Sequence, residues 1–435
     1  MRYVMIGGSA AAISAIEAIR SIERESQIDL FSDEATPLFS RVLLPYYVAE
    51  ALSKPLLNFR SPDFFEQNKI IAHIGVRVEE ISINSKTVRT ESGDQFPFDK
   101  LLLATGGKPI VPPIPGVNKE GISTLKTMAD AERIYQFKGK RAVVIGAGSV
   151  GVETSISLKR RGMEVTLLEQ LGHVLPTVFD EEAASIIKKR IEDLGITTVT
   201  GEKAVQFTGN GHVKSVVTDS REIKCEMVVL AVGVKPAIEL AQKAGIEIGS
   251  LGGIKVNSQM MTSVSDIYAG GDVIETYDLS RDSNWINAIW PSAVEQGRIA
   301  GLNMADRKIS YEGSFRRNSI GNFIGVPAMS IGVTHADTCA SCEGGEEFQE
   351  IRRRTKDTYK KLILKNGRLV GAILVGQTQK AGLFSILLKR KIDIADTIPI
   401  LMSRSLNFMD LLPLIRRNAD RFKEAEYKEI MDTGL

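Results

Sequence analysis

Two glycine-rich hexads are where this chain first shows chemistry: Gly7-Gly8-Ser9-Ala10-Ala11-Ala12 and Gly146-Ala147-Gly148-Ser149-Val150-Gly151. Each follows a short apolar run, residues 3–6 and 142–145, and opens a segment with apolar residues at helical spacing. A strand turning sharply into a helix aims backbone N–H groups and the positive end of the helix at one point, which suits a pyrophosphate. The first glycine permits the tight turn, the second lets the backbone approach the anion, and the third lets helix and sheet pack closely. The second hexad is complete, and Glu169 closes the next apolar run, 164–168, about 20 residues on, where a carboxylate holds a ribose 2′-hydroxyl. Glu169 would repel a 2′-phosphate, and the next residue is Gln170 rather than arginine, so the sequence favours NADH over NADPH. The first hexad is degenerate, with Ser9 and Ala12 in place of glycines, but small side chains still leave room. Its acid is Asp33 or Glu34, after the run 28–31, and the sequence leaves open which one meets the ribose. Two such turns in one polypeptide predict electron transfer between two bound dinucleotides.

Punctuation sets the elements around these turns. A Pro-rich stretch, 108–116, reads as a linker. Before it, Leu101-Leu102-Leu103-Ala104-Thr105-Gly106-Gly107 reads as a buried strand ending on small residues, and Met227-Val228-Val229-Leu230-Ala231-Val232-Gly233 reads as its counterpart. The expected fold is therefore α/β, with two Rossmann-like domains. The first dinucleotide domain spans 1–110 and 231–306, the second is inserted at 111–230, and a C-terminal α+β domain occupies 307–435. The first domain ends with Tyr268-Ala269-Gly270-Gly271-Asp272 and a helical stretch, 291–305. In the third, apolar runs flank Asn366-Gly367, a strong hairpin signal, and a helix is expected over 379–390.

Composition agrees with a soluble globular enzyme of two or three domains: 435 residues, 43% apolar, with 55 basic against 53 acidic side chains for a net charge of +2. No nucleic-acid partner is indicated, and no apolar stretch is long enough to span a bilayer. A secretory signal peptide is the competing reading of residues 2–16, disfavoured because Glu17 follows with no cleavage region. The only cysteines, Cys225, Cys339 and Cys342, are too few for a disulfide framework, so a reducing cytoplasm is the simplest compartment.

The Ala104-Thr105-Gly106 strand end, the complete second hexad followed by Val152-Glu153, and Gly271-Asp272 after Tyr268-Ala269-Gly270 together resemble the successive motifs of the FAD-dependent pyridine nucleotide-disulfide oxidoreductases. The resemblance covers nearly the whole chain. It implies FAD on the outer segments, held by Gly7, Gly8, Ser9, Ala10, Ala11, Asp33 or Glu34, Arg41, Val78, Ala104, Thr105, Gly106, Gly271 and Asp272, the last bonding the ribityl chain. It implies NAD(H) on the inserted segment, held by Gly146, Gly148, Ser149, Val150, Gly151, Glu169 and Gly233, with the nicotinamide stacked on the flavin. Trp290, in Trp290-Pro291-Ser292-Ala293, resembles a tryptophan near the isoalloxazine, although an aromatic anchoring a helix start reads the same way. Glu153 matches a residue near the nicotinamide pocket, against the plainer reading of an acid stabilising a helix dipole.

The stretch Phe39-Ser40-Arg41-Val42-Leu43-Leu44-Pro45-Tyr46-Tyr47 narrows the branch. Relatives that reduce disulfides or peroxide carry cysteine in this region, whereas here Val42 stands at that site and no cysteine precedes Cys225. The segment is similar to the flavoprotein reductases of rubredoxin, ferredoxin and nitrite-reductase systems. A lysine often found near flavin N5 in those reductases is missing, with Tyr46 close to its place. His73, His173, His212 and His335 are scattered and are expected to be structural. Cys339-Ala340-Ser341-Cys342, with His335 before it, reads as an ordinary loop pair, a thiol redox pair or three ligands of a shared metal; no metal site is assigned. The basic residues Arg352, Arg353, Arg354, Lys356, Lys360 and Lys361 read as a solvated face that could steer an acidic electron carrier. The tail 407–431 suits docking to another subunit or capping of its own domain.

The expected function is an FAD enzyme exchanging hydride with NAD(H) and single electrons with an iron-sulfur protein or partner subunit, in a homo- or hetero-oligomer. The alternatives are a free-standing NADH oxidase reducing oxygen and a flavin-bound interaction protein without catalysis.

Overall fold

The computed structural model describes residues 1–321, 324–335 and 348–433. Along the chain, strand β1 (Arg2–Ile6) turns into helix α1 (Ala10–Arg20), followed by β2 (Gln27–Ser32), β3 (Ile70–Ile74) and β4 (Lys100–Leu103). Then come β5 (Ile122–Thr124), β6 (Arg141–Ile145), α2 (Ser149–Arg160), β7 (Glu164–Glu169), β8 (Met227–Leu230), β9 (Ile267–Ala269) and α3 (Trp290–Met304). The central strands are runs of Val, Ile, Leu and Met buried on both faces, as parallel strands covered by helices require.

Two compact units result. The larger comprises Met1–Gln170, Glu202–Tyr277 and Asn284–Ser314; the smaller comprises Leu171–Gly201, Asp278–Ser283 and Phe315–Leu435. Within the larger unit one parallel sheet runs β9-β4-β1-β2-β3 and a second runs β7-β6-β8-β5. Because β9 returns to the first sheet after the second is complete, the second is inserted in sequence into the first. The two crossings of the chain, Gly107–Pro109 and Val234–Pro236, pair antiparallel. Register sets Ile6 beside Phe31 and Leu103, and Ile145 beside Leu168 and Leu230, so in each sheet the carboxyl ends of three strands gather at a glycine turn. Crevices at such strand ends are where this architecture binds ligands.

Helices α1 and α3 approach at backbone contact. A Cβ on Gly297 would lie 2.0 Å from the Ala11 carbonyl oxygen, and one on Gly301 would lie 2.3 Å from that of Ala15. Only glycine at both positions lets α3 brace the helix that carries the first turn.

In the smaller unit β10 (Arg317–Ile320), β11 (Ala328–Gly332), β12 (Phe348–Arg354), β13 (Tyr359–Lys365) and β14 (Arg368–Val375) form an antiparallel sheet in the order β10-β11-β14-β13-β12. Asn366 and Gly367, with φ of 51° and 77°, close the β13–β14 hairpin as a turn that needs two left-handed residues. One sheet face packs Ile331, Leu362, Leu364 and Leu374 with Leu383, Phe384 and Leu387 of α4 (Ala381–Lys389). The tail caps this same core with Phe408, Leu411, Leu414, Ile415, Phe422 and Ile430 from short helical segments rather than one helix.

The basic run is not the uniformly solvated face the sequence suggests. Lys361 is buried, 3.2 Å from Asp180 and 2.8 Å from Glu350. Arg352 pairs with Glu182 at 2.7 Å, Arg354 reaches Ser185 at 2.9 Å, and Lys360 donates to the carbonyls of Leu401 and Ser403. Tyr359 donates to Asp180 at 2.6 Å, and Asp180 caps the helix Glu181–Asp193 through the Ala183 N–H. Strand pairing turns Arg352 and Arg354 toward Glu182, and Tyr359 and Lys361 toward Asp180, acids far earlier in sequence, which composition alone cannot show.

Candidate active site

The first turn is narrow by construction. Gly7 has φ of 120°, and a Cβ there would sit 2.1 Å from the Ala104 carbonyl oxygen. Ala10, Ala11 and Ala293 are buried together, with Ala104 and Trp290 packed against them, and a Cβ on Gly271 would come 3.3 Å from Ala11. The turn, the strand end after β4, Gly271 and Trp290 therefore meet in one place. Ser9 is the N-cap of α1 but its hydroxyl makes no capping bond. Gly8 packs near Ser32.

At the end of β2, Glu34 accepts from the Arg41 guanidinium, while its Oε2 is buried without a hydrogen-bond partner. Its neighbour Asp33 is exposed. A buried acceptor lacking a donor fits a hydroxyl such as a ribose would supply. Arg41 also donates to the Lys126 carbonyl at 2.9 Å and lies over the Phe39 ring at 5.1 Å. Lys126 reaches Asp272 at 3.4 Å. Sequence reasoning missed Lys126; the available signal was the Thr127–Asp130 capping box, whose acid also accepts the Lys126 N–H and fixes that residue at the turn. Thr105 is spent on backbone, its hydroxyl donating to the Ala237 carbonyl at 2.8 Å, and Gly106 has φ of 67°. Val78 is buried in the hydrophobic core at the start of the strand Val78–Ser82.

In the second turn the three glycines have separate duties. Gly146, with φ of 97°, would place a Cβ 2.5 Å from the Ala231 carbonyl oxygen, and Gly151 would place one 1.8 Å from that of Gly146. Gly148 faces open space, leaving room where a pyrophosphate would approach. Glu169 is buried beneath the turn and accepts the Ala147 N–H at 2.7 Å. Ser149 opens α2, and Val150 beside it is exposed. Gly233, with φ of 110°, accepts the Ile110 N–H at 2.9 Å at the chain crossing.

The helix that follows the second turn reaches the segment after β2. Ser157 donates to the Pro45 carbonyl at 2.8 Å, so the α2 face bearing Ser157 and, one turn earlier, Glu153 packs against the short helix Leu44–Val48. Burial pushes the Glu153 carboxyl up to about 7. Glu153 lies beyond the first turn of α2, where the dipole effect fades, so the helix end does not account for it. Val42, just before the short helix, is exposed. Trp290 begins α3 and stands edge-on to Phe59, ring centroids 5.0 Å apart and planes at 85°.

No cluster of three metal-ligating side chains occurs among the described residues. His73 meets Asp29 and stacks on Phe31, His173 meets the Val174 carbonyl, and His212 meets the Glu226 carbonyl. Cys225 is buried, and burial pushes its thiol up to about 12, far from a working thiolate. Cys339 and Cys342 lie outside the described residues.

Residues 1–297 match the profile of the pyridine nucleotide-disulphide oxidoreductases, and residues 319–392 match the rubredoxin NAD+ reductase C-terminal domain. The chain belongs to the pyridine nucleotide-disulphide oxidoreductase family. It is 30% identical over 399 residues to the NADH-dependent phenylglyoxylate dehydrogenase subunit epsilon of Aromatoleum evansii, covering 90% of this chain and 92% of that one. It is 32% identical over 316 residues to an NADH oxidase of Methanocaldococcus jannaschii, 70% of each chain. Among solved structures, a NAD-dependent persulfide reductase from A. fulgidus superposes with a TM-score of 0.84 at 28% identity, covering 96% of this chain and 84% of that one. The protein is thus an FAD-dependent NAD(P)H oxidoreductase, with two Rossmann-like parallel sheets and a C-terminal antiparallel sheet. No helix among the described residues is long and apolar enough to cross a membrane.

Proposed function

We propose that this family member moves a hydride between NADH and FAD and exchanges electrons singly with an iron-sulfur protein or partner subunit, with no sulfur relay at the flavin. FAD, when bound, supplies the link between two-electron and one-electron chemistry. The chain's residues supply position. FAD falls to segments 1–110 and 231–306, with Glu34 rather than Asp33 on the ribose, since only Glu34 has a buried free acceptor. Arg41 and Asp272 flank that site, and Trp290 shields it from water. NAD(H) falls to 111–230, with Glu169 favouring the unphosphorylated ribose. Glu153, held near neutrality between its two charge states, can keep a proton at its carboxyl and donate to the nicotinamide amide. Segment 307–435 forms the interface domain.

The observation that carries this reading is the Ser157–Pro45 contact, which sets the nicotinamide-side helix against a loop bearing Val42 where disulfide-reducing relatives carry cysteine. Likeness over nearly full length to a protein named as an enzyme subunit supports a partner-bound role. The NADH oxidase reading draws on the archaeal relative. Anaerobic stopped-flow mixing with NADH should bleach the flavin, and the reduced protein should reoxidise faster with a [2Fe–2S] ferredoxin than with air. Faster turnover with oxygen would select the oxidase, and no bleaching would leave a non-catalytic flavoprotein.

A further inference from the structure

The sheet face of the smaller unit opposite α4 carries a polar row. Register sets Asn318 beside Ser330, Ser330 beside Ile373, and Ile373 beside Lys361, across β10, β11, β14 and β13. At one end the charge is compensated, since Lys361 lies between Asp180 and Glu350. At the other end two donors lack a partner. Asn318 Nδ2 and Ser330 Oγ are both buried without a hydrogen-bond partner, and Ser330 is 1% exposed. Arg316 stands two residues before Asn318, on the same face by alternation, with its carbonyl bonded to the Gly332 N–H at 2.8 Å. Among the described residues its guanidinium makes one hydrogen bond, to the Thr177 carbonyl at 3.4 Å.

Burial and the neighbouring Arg281 both hold Arg316 below its ordinary pKa, with Asp278 acting in the opposite sense. The Arg316 guanidinium is thus half-buried, with a second guanidinium close to it. Buried charges are normally paired and buried donors normally satisfied, and where they are not an ion or water belongs there. All three groups can donate: a planar fork, an amide and a hydroxyl. A ligand that only accepts, and carries negative charge, satisfies all of them at once, and the fork matches the paired oxygens of phosphate or carboxylate. We propose that Arg316, Asn318 and Ser330 form a binding site for one compact oxyanion, a phosphate or a carboxylate, separate from both glycine turns.

The test uses the FAD-loaded full chain in saturating NAD+, so that the glycine turns are filled. Thermal unfolding is followed against inorganic phosphate and against acetate, with a bulky sulfonate salt holding ionic strength constant. A saturable rise in Tm is expected with phosphate, with acetate, or with both, the pattern distinguishing the two oxyanions. Arg316→Gln should move the midpoint at least tenfold and Ser330→Ala severalfold; Ser330→Ala removes a single oxygen and carries the test if Arg316→Gln does not fold. If neither anion stabilises the protein beyond the sulfonate, or the folded variants respond as wild type does, the row holds water and the proposal fails.

Discussion

At the scale of single residues, carboxylates in unlike surroundings take unlike roles. Glu153 is raised by burial from its ordinary value of 4.5 to about 7. An acid whose folded pKa is raised holds its proton in the native state between those values, so the fold loses stability as pH climbs through that window, by up to about 3 kcal/mol for this shift. Glu153→Gln removes the titration. Denaturant melts should show the variant gaining on wild type from pH 5 to pH 8, while flavin reduction by NADH slows and loses its inflection near neutrality. Glu34 offers a sharper comparison. Converting it to Gln should weaken FAD binding about tenfold to a hundredfold, the worth of hydrogen bonds to a charged group. Asp33→Asn, on an exposed neighbour, should change it little. Titration of apoprotein with FAD, read by flavin fluorescence, separates the two. The sequence left this pair open because adjacent residues after a strand diverge, and only the fold shows which one Arg41 meets.

At the scale of elements, most of what positions the sites was written in glycine. The two turns, the Asn366-Gly367 hairpin and the strand ends at Ala104 and Gly271 were legible because tight turns and close backbone approach leave few alternatives to small residues. What was not legible depends on partners distant in sequence. Lys126 meets Asp272 only after the second sheet has been inserted. The fit of Gly297 and Gly301 onto Ala11 and Ala15 joins two helices nearly 300 residues apart. That fit makes a prediction at this scale. Gly297→Ala would force a methyl group to 2.0 Å from the Ala11 carbonyl oxygen, so α1 and α3 must separate at a cost of at least about 2 kcal/mol. Because α1 carries the first turn, the variant should melt earlier and retain less FAD, whereas loss of stability with FAD content intact would separate the packing from the site.

At the scale of the whole molecule, the smaller unit is held by a buried charge cluster. Lys361 bridges Asp180 and Glu350, and Tyr359 shares Asp180. Lys361→Met leaves two acids without their cation and should lower stability by about 3–5 kcal/mol in denaturant melts. In the basic run Arg352, Arg353, Arg354 and Lys356 are exposed as the sequence suggests, and Lys361 departs from that reading because a sequence shows charges but not which side of a strand each one takes. The electron capacity of the complete molecule follows from its cofactor content. With FAD as the sole redox group, anaerobic titration should bleach the flavin fully at one NADH per flavin, and the endpoint should be the same after all three cysteines are replaced by serine. An endpoint at two NADH per flavin in the wild type, falling to one in the cysteine-free variant, would show a sulfur relay and contradict the account.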